Sequence, residues 1–261
     1  MAVSLASLRR GGEVRPNRIM FYGTHGVGKT SLGAGAPSPV FLQTEDGLAQ
    51  IEAPTFGILR SYAEFVEAVT ALANEPHDFE TVVVDTLDWL EPIVWAEACR
   101  ANNWTTIEQP GYGKGYAAAL DTWRFLLDGL GVLRDERGMG VILLAHAEVK
   151  RFEPPESEPY DRYQPKLNAK TSALIQEHVD DVLFVNYRVS LIKDNPKDRN
   201  SRVRGVGGGQ RVLYTQERPS HLAKNRWRMP ETISLPDEPE KMWSAVAEHL
   251  PFYKTSTRKA A

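Results

Sequence analysis

Cysteine is almost absent from this chain, because Cys99 is the only one among its 261 residues. A single thiol excludes an intramolecular disulfide and a thiolate metal cluster, so a reducing compartment is expected. The six histidines are scattered without the spacing of metal ligands. Long apolar runs are absent as well, and residues 1–12 carry too short an apolar stretch for a signal peptide. The sequence therefore predicts a cytoplasmic protein with no membrane partner.

The net charge is only −3, but the charges are separated along the sequence. Residues 41–110 carry 13 acidic side chains against two arginines, a net charge of −11. Residues 188–228 carry 11 basic side chains against three acidic ones, a net charge of +8. Lys and Arg gain affinity for a polyanion by displacing counterions from its phosphates, so the second region favours a nucleic-acid partner. A solvated basic face would have the same composition.

Short apolar runs alternate with helical patterns along most of the chain. Continuous apolar strands between helices are typical of a parallel sheet that is covered on both sides. We therefore expect an α/β fold of the P-loop NTPase type, with a mostly parallel central sheet, flanking helices and a C-terminal antiparallel extension. Glycines among arginines at residues 196–210 predict a flexible basic loop. The predicted parts are an N-terminal extension at residues 1–17, a core at residues 18–250 and a basic disordered tail at residues 251–261.

A glycine-rich segment directly follows the first apolar run. Residues 23–30 read Gly-Thr-His-Gly-Val-Gly-Lys-Thr and fit the phosphate-binding loop pattern G-x-x-x-x-G-K-[ST]. Glycines leave the backbone N–H groups of such a loop free to point at a triphosphate, and the following helix adds its positive end. Lys29 is expected to reach the β and γ phosphates of ATP, and the Thr30 hydroxyl to hold Mg²⁺. The predicted nucleotide-binding residues are Gly23, Thr24, His25, Gly26, Val27, Gly28, Lys29, Thr30 and Ser31.

A second element is the apolar run at residues 82–84, which ends in Asp85 and Thr86. A carboxylate at a strand end beside the phosphate loop is a candidate to hold Mg²⁺, although many buried strands end in an Asp that only caps a helix. Enzymes of the AAA type place a water-activating Glu directly after this Asp, and Thr86 stands there instead. The catalytic base is therefore expected elsewhere, and Glu45 is the candidate because it follows the strand at residues 40–43.

These motifs resemble the RecA-type ATPases over most of residues 18–227. The resemblance implies that Glu45 is the catalytic base and that Asp85 serves Mg²⁺. It also implies that His146, at the end of the strand at residues 141–145, takes the place of a γ-phosphate sensor that is often Gln. A strand-end histidine with no role in the reaction would look the same.

The segment Leu-Ala-Lys-Asn-Arg at residues 222–226 resembles the Lys-x-Arg finger that RecA-core ATPases insert into the active site of a neighbouring subunit. In that reading Lys224 and Arg226 neutralise charge on the transferring phosphoryl group, and catalysis requires an oligomer. A surface strand rich in Lys and Arg would also fit this short motif.

Two segments, at residues 103–116 and 147–170, occupy the places where RecA-type proteins carry DNA-binding loops. Both combine aromatic residues with cations, which suits a single strand because bases stack on rings while Lys and Arg contact phosphates. The alternative is that the aromatics pack the loops onto the domain, and we favour it for Trp104. The predicted DNA-binding residues are Tyr112, Lys114, Lys150, Arg151, Arg162 and Lys166.

The small core and basic tail resemble the phage-encoded RecA-core proteins of the single-strand annealing type. The phosphate loop, the Asp-Thr and Ala-His strand ends and the Lys-Asn-Arg segment agree with that family in order and spacing. The resemblance implies a DNA-stimulated ATPase that uses ATP and Mg²⁺, binds single-stranded DNA and acts in phage recombination or annealing, in the host cytoplasm. The implied partners are further copies of the chain, in a ring or a filament, and a single-strand binding protein.

Three other functions stay open at the level of the sequence. A replicative-helicase-like DNA motor uses the same core and finger, but it usually carries an additional N-terminal domain. A small-molecule P-loop kinase would use residues 148–170 as a lid over its acceptor. A nucleotide-switch module would bind ATP with negligible turnover. The effect of single-stranded DNA on ATP hydrolysis distinguishes these functions.

Overall fold

The computed structural model describes residues 14–48, 50–193 and 203–254. Its strands are β1 Arg18–Gly23, β2 Pro39–Gln43, β3 Thr55–Ile58, β4 Thr81–Asp85, β5 Gly140–Phe152, β6 Tyr160–Pro165, β7 Asp181–Tyr187, β8 Ser190–Lys193, β9 Val203–Val206, β10 Arg211–Tyr214 and β11 Thr232–Leu235. Its helices are α1 Lys29–Ala34, α2 Tyr62–Asn74, α3 Leu87–Asn102, α4 Lys114–Glu136, α5 Ala169–His178 and α6 Pro239–Ala247.

The central sheet has the strand order β11-β10-β7-β1-β5-β4-β2-β3. The strands from β7 to β3 are parallel, whereas β10 and β11 pair antiparallel at the C-terminal side. Strand β5 therefore lies between β1, which leads into the phosphate loop, and β4, which ends in Asp85. This arrangement confirms the predicted α/β fold with its mostly parallel sheet and antiparallel extension.

Helices cover both faces of this sheet because successive strand residues point to opposite sides. On β1, Met20 and Tyr22 face the core that includes apolar residues of α2, α3, α4 and α5. The alternate residues Ile19 and Phe21 face the second core, which includes residues of α1 and α6. All four of these side chains are at most 1% exposed, so β1 is held rigidly and fixes the position of the loop that follows it.

The structure differs from the sequence prediction mainly in the irregular segments. Residues 147–165, predicted as part of a loop, form a hairpin in which the second half of β5 pairs antiparallel with β6. Strands β3 and β11 were not predicted. The segment His221–Ala223, predicted in the antiparallel extension, makes only isolated bridges. Short partly exposed strands carry weak sequence signals, because packing against neighbours rather than intrinsic preference forms them.

Parts of the predicted terminal and basic segments lie outside the described residues, namely residues 1–13, 194–202 and 255–261. Within the predicted tail, residues 251–254 form a helical turn and Tyr253 is buried, so the packed core reaches residue 254. Residues 203–206 of the predicted basic loop pair with β8 in a small separate hairpin. None of the helices in the described parts of the chain is long and apolar enough to cross a membrane.

Candidate active site

The phosphate loop joins β1 to α1, and its glycines adopt backbone conformations that other residues rarely reach. Gly26 has φ 70° and Gly28, the N-cap of α1, has φ 98°. At Gly23 a Cβ atom would collide with the backbone oxygen of Val185 on the neighbouring strand β7. The spacing of glycines in the motif is therefore a backbone requirement of this turn, which leaves its main-chain N–H groups available to an anion.

Lys29 folds back over the loop that carries it. Its Nζ donates hydrogen bonds to the backbone oxygens of Gly23 at 3.1 Å and Thr24 at 3.0 Å. Burial lowers the pKa of Lys29, and the nearby carboxylates of Asp85 and Asp88 oppose that shift. A buried ammonium that is held only by neutral carbonyls is suited to bind a phosphate group of a ligand.

Thr30 and Asp85 are the two predicted Mg²⁺ residues, and they are in direct contact. The Thr30 hydroxyl donates to Oδ2 of Asp85 over 3.0 Å. Burial raises the pKa of Asp85 to about 6, and the bond from Thr30 partly offsets this shift. A hydroxyl and a carboxylate are the oxygen ligands that Mg²⁺ prefers, and substrate phosphates usually complete its shell. The described residues contain no cluster of three or more His, Cys, Asp or Glu side chains that could hold a metal alone.

Glu45 follows β2, which lies next to β4 with Gln43 opposite Asp85. The Thr86 hydroxyl donates to Oε1 of Glu45 over 3.0 Å. Thr86 itself is held by Thr44, whose hydroxyl donates to the Thr86 backbone oxygen at 2.7 Å and accepts from the Thr86 N–H at 2.9 Å. The position after Asp85 therefore supplies a hydroxyl that anchors the carboxylate from the adjacent strand.

His146 stands opposite Gly23 in the register of β5 and β1. Its Nδ1 lies 2.9 Å from Oδ2 of Asp88 and 4.0 Å from Oε1 of Glu45. The imidazole of His25, from the phosphate loop, stacks on it with 4.0 Å between ring centroids. The proximity of His146, and to a smaller extent burial, lowers the pKa of His25. Two histidines that are distant in the sequence thus form one side of the site.

These side chains line one cleft of about 530 Å³. Lys29, Thr30, Glu45, Asp85 and His146, all predicted from the sequence, meet there. Asp88 was not predicted as a site residue, and its only sequence signal is an acidic side chain in the first turn of α3. The lining residues Gly47, Leu48, Gln50 and Ile51 were not predicted either.

Lys224 and Arg226 lie far from this cleft within the same chain. Lys224 Nζ donates to the backbone oxygens of Gln176 and Val179 at the end of α5, at 2.7 Å each. The guanidinium of Arg226 contacts Asp180 at 2.9 Å, and its side chain is 52% exposed. Both attach to the amino end of β7, whereas the phosphate loop lies at the carboxyl ends of the parallel strands. The two cations cannot reach the phosphate loop of their own chain.

The two predicted DNA-binding segments meet at one place, where Lys170 Nζ donates to the backbone oxygen of Gly113 at 3.4 Å. Tyr112 is fully exposed at 102%, with φ 50°. Lys114, Arg151 and Lys166 are also exposed. The backbone N–H of Lys166 donates to the backbone oxygen of His146, which links this surface to the cleft.

Arg162 and Lys150 are not free cations on this surface. The Arg162 guanidinium lies over the Phe152 ring at 3.6 Å and pairs with Glu217 at 2.7 Å, and its side chain is only 8% exposed. Its predicted contact with DNA stays a prediction, and in the structure the side chain packs against the β5–β6 hairpin. Lys150 is partly exposed, pairs with Glu148 at 2.7 Å and donates to the Leu167 oxygen at 3.1 Å.

This chain is similar to a family of AAA domains, to a prophage-derived protein and to a recombinase of known structure. The model of the family AAA_24, described as an AAA domain, matches residues 15–227. The SPbeta prophage-derived uncharacterized protein YorG of Bacillus subtilis (strain 168) is 22% identical over 236 residues, which cover 88% of this chain and 65% of that protein. The crystal structure of the RadB recombinase covers 88% of this chain and 91% of its own, with a TM-score of 0.49 and 14% identity.

Proposed function

This chain belongs to the AAA_24 family of AAA domains, and we propose that it is a Mg²⁺-dependent ATPase that binds single-stranded DNA and acts in phage DNA recombination or annealing. The observation that carries the ATPase part is the convergence of Lys29, the Thr30–Asp85 contact and Glu45 on one cleft. The name of the prophage-derived relative supports the phage setting.

Each group in the cleft has a distinct task in hydrolysis. The loop N–H groups and Lys29 bind the phosphates, and Thr30 and Asp85 hold the metal ion. Mg²⁺, when bound, neutralises charge on the β and γ phosphates. Glu45 accepts a hydrogen bond from Thr86 and would orient the attacking water and accept its proton. Because this hydrogen bond already holds the carboxylate in place, little conformational freedom is lost in the reaction. His146 faces the terminal phosphate from the end of β5.

The assignment of Glu45 rests on the residue that follows Asp85. Thr86 has no carboxylate, and its hydroxyl is already committed to Glu45. Asp88 is the next acidic residue along α3, but its carboxylate is committed to His146. Glu45, with a side chain 21% exposed and lining the cleft, is therefore the carboxylate that can accept a proton from water.

Single-stranded DNA is the proposed partner of the surface around Tyr112, Lys114 and Lys166. A fully exposed aromatic ring next to exposed lysines suits base stacking combined with phosphate contacts. The contact of Lys166 with His146 supports communication between this surface and the cleft. DNA bound here would thus stimulate turnover.

A finger made of Lys224 and Arg226 would require a homo-oligomer, because both lie at the amino end of β7, opposite to the strand ends that carry their own phosphate loop. In an assembly, a ring or a filament, the half-exposed Arg226 would reach the γ phosphate of an adjacent subunit and stabilise charge on it. A single-strand binding protein would be an additional partner on the same DNA.

The test is ATP hydrolysis with Mg²⁺, measured with and without single-stranded oligonucleotide. The variant Lys29→Ala is the inactive control. Strong stimulation without duplex unwinding supports the annealing or recombination function. Stimulation together with ATP-dependent unwinding would indicate a helicase-like motor instead. Phosphate transfer to a small acceptor would indicate a kinase, and binding without turnover a nucleotide switch.

A further inference from the structure

Both carboxylate oxygens of Asp88 contact His146. Its Oδ1 accepts from the backbone N–H of His146 at 2.9 Å, and Oδ2 lies 2.9 Å from Nδ1 of the same residue. Both side chains are almost fully enclosed, at 4% exposure for Asp88 and 8% for His146. The carboxylate therefore fixes the backbone and the ring of His146 at the same time.

The chemistry of this pair determines which nitrogen carries the proton. Burial opposes ionisation of Asp88, but the hydrogen bonds from His146 prevail and hold the pKa of Asp88 below its usual value. An ionised carboxylate only accepts hydrogen bonds, so Nδ1 of His146 must carry a hydrogen. The other ring nitrogen, Nε2, is then the one left for a ligand in the cleft that His146 lines.

We propose that Asp88 is a positioning residue, which holds His146 through Nδ1–H so that Nε2 is presented to the terminal phosphoryl group of the nucleotide. This inference rests on the proposed ATPase function. A pair of this kind orients an imidazole and stabilises its doubly protonated form, as a carboxylate does for other catalytic histidines. Asp88 does not touch the nucleotide itself.

Charged groups lie on both sides of His146. The carboxylates of Asp88, Glu45 and Asp85 surround it from α3, β2 and β4. On the other side, the ring of His25 stacks on His146, and His25 in turn has Lys29 and Lys166 as electrostatic neighbours. A phosphoryl oxygen only accepts hydrogen bonds, so Nε2 must donate to it while Nδ1 donates to Asp88, and such a hydrogen bond between charged groups is a strong one.

The variant Asp88→Asn alters this arrangement with little change in shape. The amide oxygen can still accept from the backbone N–H of His146, but the amide nitrogen only donates and would face Nδ1. Nδ1 must then accept from the amide, which leaves the ring hydrogen on Nε2. The ring keeps a hydrogen bond to the phosphate, but a weaker one, because neutral donors are roughly half as effective as charged ones.

The first measurement is the tautomer of His146 by ¹H–¹⁵N NMR in protein labelled at histidine, without nucleotide, with the signals assigned through His146→Gln. The native protein is expected to show hydrogen on Nδ1, and Asp88→Asn on Nε2. Glu91→Gln is the control, because Glu91 is a buried carboxylate one turn further along α3 that accepts from Asn168 and not from His146. It should leave the tautomer unchanged. An Nε2–H tautomer in the native protein would overturn the proposal even if Asp88→Asn failed to fold.

The second measurement is a double-mutant cycle on kcat. Asp88→Asn should lower kcat about tenfold in the native background and less than about twofold in the His146→Gln background, since Asp88 acts through His146. An equal loss in both backgrounds would refute the positioning role. The two proposals can fail separately. If the native protein does not hydrolyse ATP but the tautomer changes in Asp88→Asn as expected, the ATPase proposal fails and the orientation of His146 by Asp88 stands.

Discussion

The hydroxyl of Thr86 donates a 3.0 Å hydrogen bond to Oε1 of Glu45, although the two residues follow different strands. Thr86 occupies the position after Asp85 where enzymes of the AAA type have a Glu. Its neutral hydroxyl instead holds the carboxylate of Glu45, which follows the neighbouring strand β2. Glu45 in the cleft and Thr86 beside Asp85 thus form one structural unit, and their roles can be tested separately.

Glu45→Gln should bind ATP normally and hydrolyse it about 10²- to 10⁴-fold more slowly, because the amide cannot accept the proton of water. Single-turnover hydrolysis and nucleotide affinity are the measurements. Asp46→Asn is the matched variant, as Asp46 is the adjacent, exposed carboxylate, and it should hydrolyse normally. Normal turnover by Glu45→Gln would contradict the assignment and make Asp46 or Glu91 the better candidate.

Lys29→Ala should weaken ATP binding by about ten- to a hundredfold or more, because hydrogen bonds from a charged group contribute about 1.5–3 kcal/mol each. Equilibrium titration with a fluorescent nucleotide measures the loss. Lys241→Ala removes the same charge from an exposed ion pair on α6 and should bind as the native protein does. Equal affinity of both variants would exclude Lys29 from phosphate binding.

Asp85→Asn should make the nucleotide-free protein more stable at neutral pH. The pKa of Asp85 rises to about 6 on folding, from an ordinary value of 3.8, so its contribution to stability is complete below about pH 4 and is lost as the pH rises through about 6. Asparagine does not ionise, so the variant does not lose stability as the pH rises. Its advantage in free energy of unfolding should grow from near zero at pH 4 to at most about 3 kcal/mol at pH 7.5.

Urea unfolding in EDTA at both pH values measures this difference between the variant and the native protein. With Mg²⁺ and nucleotide the order should reverse, because only the native carboxylate holds the metal. A variant that is less stable than the native protein at pH 7.5 without ligands would contradict the expected cost of the buried charge.

Arg226→Ala should lower turnover at least about tenfold in the assembled protein and leave ATP binding unchanged in isolated subunits. Arg228→Ala is the control, as an exposed arginine two residues away. Mixing Arg226→Ala with Glu45→Gln should restore part of the activity, because one subunit then supplies the finger and the other the base. The absence of any recovery, with both variants assembling normally, would count against a finger that acts between subunits.

Tyr112→Ala should weaken binding to single-stranded oligonucleotides by about 1–3 kcal/mol, the value of one base–aromatic stack. Lys114→Ala should instead reduce the dependence of affinity on salt by roughly 0.7 in logarithmic slope, as expected for one lost phosphate contact. Fluorescence anisotropy over a range of salt concentrations measures both effects. Affinity that does not change with salt in the native protein would exclude phosphate contacts on this surface.

Much of the core could be predicted because its signals are local. Apolar runs such as Val82–Val84 predict buried strands, and the glycines of residues 23–30 predict the turn that only they can adopt at φ 70° and 98°. The hairpin of β5 and β6 could not be predicted in this way, since charged residues interrupt its apolar ones and its pairing depends on where β5 ends. The burial of Arg162 was missed for the same reason, because only that hairpin shows that it lies against Phe152.

The sequence by itself determined the phosphate loop, the alternation of strands and helices and the identity of the acidic and basic groups, because each depends on neighbouring residues and on backbone geometry. Only the tertiary structure decided which groups meet. The pairs Thr86–Glu45 and Asp88–His146 join residues 41 and 58 positions apart. They form because β5 lies between β1 and β4, and β2 lies beyond β4. The order of strands in a sheet is set by the packing of the whole core, which no local pattern records.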